Sequence, residues 1–308
     1  MSEIRVNDFV LKIGTVNGTG SASANGLLLK AFFRMGIPVT GKNLFPSNIQ
    51  GLPTWYGIRV NHKGYMARSK RVDIMVALNA QTYQKDLDNV TPGGFLIYDS
   101  TWPRERQLGR TDITVLGVPL AKLCNENFSD ARVRILMKNI AYVGVLAALL
   151  NIDTKILRAL IEETFASKPK LVESNLKAIN LGFKYAKDNF TCPLPIHAET
   201  MGDNSKHIMI DGNSAAGLGC VYAGATVGAW YPITPSTGLM DAFKTYCKMF
   251  RVDKETGKKD YVIIQAEDEL AAAGTVLGAN WVGARAFTPT SGPGISLMSE
   301  FIGFAYYT

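Results

Sequence analysis

The chain has 308 residues, room for about two domains, and its 47% hydrophobic and 19% charged residues exclude a disordered or fibrous protein. Its formal net charge of +7 is spread with no Lys or Arg run longer than two, which argues against a nucleic-acid-binding arm and fits docking of an acidic electron carrier. The first residues, Met1-Ser2-Glu3-Ile4-Arg5, carry no apolar signal stretch. The longest apolar run, residues 140–150, is about half of the roughly twenty residues a bilayer span needs, so a cytoplasmic protein with no membrane segment is expected.

In chain order, residues 8–14 alternate as a strand and are followed by the glycine- and serine-rich turn 17–23 and a helix over 24–35. A strand, a glycine-rich turn and a helix start form a candidate anion site. The spacing Gly14, Gly18, Gly20 is not GxGxxG, which argues against a dinucleotide. Strands are expected over 56–60, 73–78, 94–98 and 114–116, with a helix over 81–87. Helices are then expected over 133–150 and 154–167, the second ended by Pro169, and over 171–187. Residues 189–206 contain Pro193, Pro195 and Gly202 without a hydrophobic period and read as a linker. This gives domains at 1–188 and 207–308.

In the second domain a small-residue pattern over 214–229 reads as a helix opened by the turn Asp211-Gly212-Asn213. It leads to Tyr231-Pro232-Ile233-Thr234-Pro235-Ser236-Thr237, where two prolines impose a rigid turn. Residues 261–265 read as a buried strand that runs into Glu267-Asp268-Glu269 and an alanine-rich helix. Acids in a first turn are explained by capping alone, but three in a row at the end of a strand also put a carboxylate where open α/β sheets bind ligands. The chain stops within what reads as a further strand at 304–308, so the domain is expected to be cut short. Cys124, Cys192, Cys220 and Cys247 are too far apart in sequence for a zinc or iron–sulfur motif, and His62, His197 and His207 suggest no metal site.

YPITPST at 231–237, QAEDELAAAG at 265–274 and TPTSGPG at 288–294 together resemble the pyrimidine-binding domain of thiamine-diphosphate-dependent 2-oxoacid:ferredoxin oxidoreductases. The N-terminal part resembles the gamma domain of the same family at residues 14–26, 45–51, 72–79 and 92–94, in the gamma-then-alpha order of the two-subunit members. The fold class implied is α/β: a gamma-type α/β domain, then the start of a thiamine pyrimidine-binding α/β domain with a mainly parallel sheet.

The resemblance implies an alpha subunit that oxidatively decarboxylates a 2-oxoacid, 2-oxoglutarate by preference, to an acyl-CoA and CO2 while reducing ferredoxin. It implies thiamine diphosphate shared with a beta partner that carries Mg2+ and a [4Fe-4S] cluster, coenzyme A as co-substrate, and a dimer of heterodimers. Thiamine chemistry needs a carboxylate on the aminopyrimidine nitrogen to favour the imino tautomer. Glu269 falls on the family's glutamate, leaving Glu267 and Asp268 to capping or solvent. Thr234 falls on the threonine that lies against cofactor and substrate, with Tyr231, Pro232 and Ile233 as cofactor-binding neighbours. A loop with Ser47, Asn48 and Gln50 is expected to cover the substrate, whose distal carboxylate Arg59 or Lys42 could hold. Open alternatives are pyruvate or another 2-oxoacid as substrate, a non-catalytic assembly protein keeping the fold, or a nucleotide-binding module at the glycine-rich turn.

Overall fold

Phe9, Leu11 and Ile13 alternate with Val10 and Lys12, so an extended backbone places three apolar side chains on one face. All three are fully buried in strand β2 (Asp8–Val16), and the intervening residues are partly exposed. The computed structural model describes residues 4–44, 51–102, 109–202 and 204–307. They form two units, Met1–Ile208 and Met209–Thr308.

In the first unit a six-stranded sheet has the order β3-β4-β2-β5-β6-β7. Strands β2, β5 (Ile74–Ala77), β6 (Phe95–Asp99) and β7 (Thr114–Val118) are parallel, while β4 (Pro53–Asn61) runs antiparallel to β2 and to β3 (Val39–Leu44). On one face, Phe9, Leu11, Ile13, Ile74, Val76 and Ile97 join the core formed with α1 (Ser21–Arg34), α4 (Ala131–Leu149), α5 (Thr154–Thr164) and α6 (Pro169–Asn189). On the other, Met75, Ala77 and Leu96 pack under Tyr83 and Leu87 of α2 (Tyr83–Asp88). Covering both faces makes β5 and β6 continuous apolar runs, as parallel central strands require.

The helix pair α4 and α6 is set by two glycines. A Cβ on Gly144 would overlap the carbonyl oxygen of Ile179, and one on Gly182 would overlap that of Ala141, so the two backbones meet without side chains between them. Tyr142 of α4, wholly buried, donates to Asn25 Oδ1 of α1 at 2.7 Å. Asn139 Nδ2 donates to the Thr19 carbonyl at 2.7 Å and anchors the glycine-rich turn. Gly18 and Gly20 there have φ of 86° and 83°, which disfavours other residues at both positions.

Several expectations are corrected. Pro169 opens α6 rather than ending the helix before it, because a proline at N1 gives up an amide that has no intrahelical partner anyway. The stretch 189–206 is not a free linker: Leu194, Ile196 and Ala198 are buried in the first core, and β8 (Ile196–His197) pairs in parallel with β1 (Arg5–Val6). Strand β3 and helix α3 (Leu120–Asn127) were not read from the sequence. The β3 sequence VTGKNL has no apolar alternation, and pairing with β4 holds it.

In the second unit α7 (Gly212–Tyr222) ends before Ala225, so the small-residue pattern over 214–229 covers a helix, a turn and strand β9 (Val227–Trp230). Asp211 caps α7, accepting from the Ser214 amide at 3.0 Å. Strand β10 (Val262–Gln265) is not buried, since Val262 and Ile264 are 51% and 40% exposed on a sheet edge. Of the strand expected over 304–308, residues 304–307 instead belong to helix α11 (Ser299–Tyr307), and residue 308 lies outside the described residues. An aromatic-rich run suits either state, and here packing of the Phe301 ring against Gly274 of α9 (Glu269–Trp281) goes with the helix.

Candidate active site

The second unit's sheet has the order β10-β9-β11, with β11 (Ala286–Phe287) and β10 both parallel to the central β9. The chain leaves β9 through α8 (Thr237–Phe250) to β10 on one side, then returns through α9 to β11 on the other. Such a reversal opens a crevice at the carboxyl ends of the strands. The three sequence motifs start there: residues 231–237 after β9, 266–269 after β10 and 288–294 after β11.

The turn after β9 is held from several directions. The Ile233 carbonyl accepts from the Thr237 amide at 3.0 Å, the Ser236 hydroxyl at 3.0 Å and the Thr237 hydroxyl at 3.2 Å. Asn213 Nδ2 at the start of α7 donates to the Pro235 carbonyl at 2.8 Å. Tyr231, Pro232 and Thr234 face outward, Ile233 is half-buried, and the Thr234–Pro235 peptide is cis. The Ala266 amide donates to the Trp230 carbonyl at 2.8 Å and ties the second motif to the first.

The three acids separate by role. Glu267 and Asp268 are exposed, and Asp268 is the N-cap of α9, accepting from the Ala271 amide at 2.7 Å. Glu269, the first residue of α9, is 7% exposed, and its carboxylate makes no hydrogen bond or ion pair among the described residues. The N-cap bond is therefore made without it. We expect Asp268→Ala to cost about 1 kcal/mol, read as a lower midpoint in urea unfolding, with the Glu269 site otherwise intact.

The third motif closes on Glu269. A Cβ on Gly294 would lie 2.9 Å from Glu269 Cγ and 3.2 Å from its Oε1, and would overlap Thr290 Oγ1. Thr290 Oγ1 is itself buried without a hydrogen-bond partner among the described residues. Thr290 and Gly294 are residues the sequence reading left without a role. The TSGPG motif marked the segment, but which of its residues approach Glu269 depends on how β11 lies beside β9.

Ser47, Asn48 and Gln50 lie outside the described residues. Arg59 and Lys42 line one cleft of about 930 Å³ in the first unit, together with Lys12, Arg68, Lys70 and Arg71. The Arg59 guanidinium donates to the Ala67 carbonyl, and burial pushes the Lys12 ammonium below its usual range. No carboxylate lines this cleft among the described residues.

A family model described as pyruvate ferredoxin/flavodoxin oxidoreductase matches residues 10–185. A second, described as the thiamine diphosphate-binding part of pyruvate flavodoxin/ferredoxin oxidoreductase, matches residues 218–308. The chain is 28% identical to subunit alpha of 2-oxoacid:ferredoxin oxidoreductase 2 from Aeropyrum pernix, over 97% of this chain and 53% of that one. Over 99 residues it is 44% identical to the 2-oxoglutarate synthase subunit KorA of Methanocaldococcus jannaschii, covering 32% of this chain and 25% of that one. A solved 2-oxoglutarate:ferredoxin oxidoreductase from Magnetococcus marinus, with 2-oxoglutarate, coenzyme A and succinyl-CoA bound, superimposes with a TM-score of 0.83 at 27% identity, over 95% of this chain and 49% of that one. The chain thus spans about half the length of the curated 2-oxoacid oxidoreductase alpha subunits it matches.

Proposed function

This chain belongs to the pyruvate ferredoxin/flavodoxin oxidoreductase family, and on that premise we propose that it is the subunit holding the pyrimidine half of thiamine diphosphate in a 2-oxoacid:ferredoxin oxidoreductase. The overall reaction is oxidative decarboxylation of 2-oxoglutarate with coenzyme A, giving an acyl-CoA and CO2, with two electrons passed to ferredoxin. The observation that carries this reading is Glu269, buried at the carboxyl ends of three parallel strands with its carboxylate unengaged among the described residues.

The Glu269 carboxylate would suit the ring nitrogen of an aminopyrimidine, accepting or sharing its proton. A side chain at Gly294 would collide with Thr290 Oγ1 and crowd Glu269, so glycine there lets the third motif pack against the carboxylate. Thiamine diphosphate, when bound, supplies a nucleophilic carbon and an electron sink for the carbonyl substrate. Glu269 would hold and move a proton at the pyrimidine nitrogen, which a carboxylate does and an amide does not. The turn of Tyr231, Pro232, Ile233 and Thr234, pinned through the Ile233 and Pro235 carbonyls, would line the ring's other side with the Thr234 hydroxyl toward substrate. The diphosphate with its Mg2+ and the [4Fe-4S] cluster would belong to a beta partner, in a dimer of heterodimers.

The choice of 2-oxoglutarate is supported by the likeness to KorA and to the Magnetococcus enzyme. Arg59 and Lys42 would offer the cations for its distal carboxylate, and Ser47, Asn48 and Gln50 would cover it. The test is turnover of the full-length protein with its beta partner on a panel of 2-oxoacids, with coenzyme A and a viologen acceptor. Reduction fastest with 2-oxoglutarate is expected. Preference for pyruvate moves the assignment to that substrate, and no reduction with any 2-oxoacid refutes the proposal.

A further inference from the structure

We infer that Thr290 is the positioning residue of Glu269: its hydroxyl donates to one carboxylate oxygen and so turns the other toward the pyrimidine nitrogen. The inference rests on the reading of Glu269 as the ring partner. Burying a hydroxyl with no partner is costly, so an orphaned one beside an acceptor indicates a bond that forms in the working state. Thr290 Oγ1 is such an orphan. Thr290 Oγ1 occupies the place a Cβ on Gly294 would take, and Glu269 Oε1 lies 3.2 Å from that same point, so both oxygens flank the Gly294 backbone.

Two further observations favour this pairing. The Glu269 carboxylate has no competing partner among the described residues, since Asp268 alone caps α9. Thr290 also follows β11, whereas Glu269 follows β10, on the opposite side of β9. A bond between them would brace the carboxylate across the mouth of the sheet, against rotation about its own side chain. Catalytic groups held to a fraction of an ångström commonly depend on support of this kind.

The experiment compares hydrogen–deuterium exchange at thiamine C2, and thiamine diphosphate affinity, in the assembled enzyme carrying Thr290→Val, Thr290→Ser or Glu269→Gln. Loss of one charge-assisted hydrogen bond predicts exchange slower by about tenfold in Thr290→Val. Thr290→Ser, which restores the donor, should stay within about twofold, and affinity should move by less than about threefold in both, as expected for orientation rather than binding. Exchange at the wild-type rate in Thr290→Val, with slow exchange in Glu269→Gln, overturns the positioning role and leaves the Glu269 reading standing. Normal exchange in Glu269→Gln overturns that reading itself. A loss of affinity in Thr290→Val larger than its loss of exchange makes Thr290 a binding group and also overturns the inference. Should Thr290→Val fail to assemble, Thr290→Cys supplies the comparison: its weaker donor predicts a rate between those of the wild type and Glu269→Gln, and a wild-type rate counts against the inference.

Discussion

Glu269→Gln is expected to abolish most turnover while leaving the protein folded and able to bind thiamine diphosphate. The amide keeps the size of the side chain and much of its hydrogen bonding, and loses only the capacity to exchange a proton with the ring. A positioned acid–base group contributes about a hundred- to ten-thousand-fold, or roughly 3 to 5 kcal/mol of barrier. Loss of a first-turn carboxylate costs helix stability only about 0.3 to 1 kcal/mol. Exchange at thiamine C2 should therefore slow in Glu269→Gln and stay normal in Glu267→Gln and Asp268→Asn, whose side chains are exposed. Equal slowing in all three would point to a general charge effect instead.

The largest expected effect on stability lies at the crossing of α4 and α6. In Gly182→Ala the new Cβ overlaps the Ala141 carbonyl oxygen, a backbone atom that cannot rotate away, so the helices must separate. Overpacking of this kind costs about 1 to 3 kcal/mol, and the better helix propensity of alanine offsets up to about 1 kcal/mol of it. A net loss near 2 kcal/mol lowers the melting temperature of a unit this size by roughly 4 to 8 °C. Gly26→Ala is the control, because it is also in a helix interior but has no atom within 4 Å of the added Cβ. That variant should melt at the same temperature as the wild type or higher. Gly144→Ala strains the same crossing, so the double variant should lose less than the two singles added together.

Elements whose pattern is local were legible in the sequence. Alternation in Phe9, Leu11 and Ile13 marked β2, and the long apolar period marked α4. What escaped depends on partners distant in sequence. Strand β3 is polar and exists through β4, and the packing of α11 depends on contact with Gly274. At the site, the motifs announced the three turns and singled out Glu269 among three adjacent acids, and burial separates the same residue from its neighbours. Thr290 and Gly294 were hidden because their importance is a matter of proximity across the sheet. The pairing of residues 196–197 with β1 was missed for the same reason, since prolines and a glycine without hydrophobic period describe a loop only until one asks what the loop covers.

That last pairing bears on how the protein is made. Arg5 lies opposite Ile196, and the Asn7 side chain both donates to the Glu199 carbonyl at 2.8 Å and accepts from its amide at 3.0 Å. On a translating ribosome the first strand therefore waits through the synthesis of nearly the whole first unit before its partner emerges. Closing so long a loop is entropically slow. Meanwhile β2, with its antiparallel neighbour β4 and the helices above it, can already assemble. The β1–β8 clasp can thus close only once residues 196–197 have been made, and the expected role is that of a late seal on the first unit.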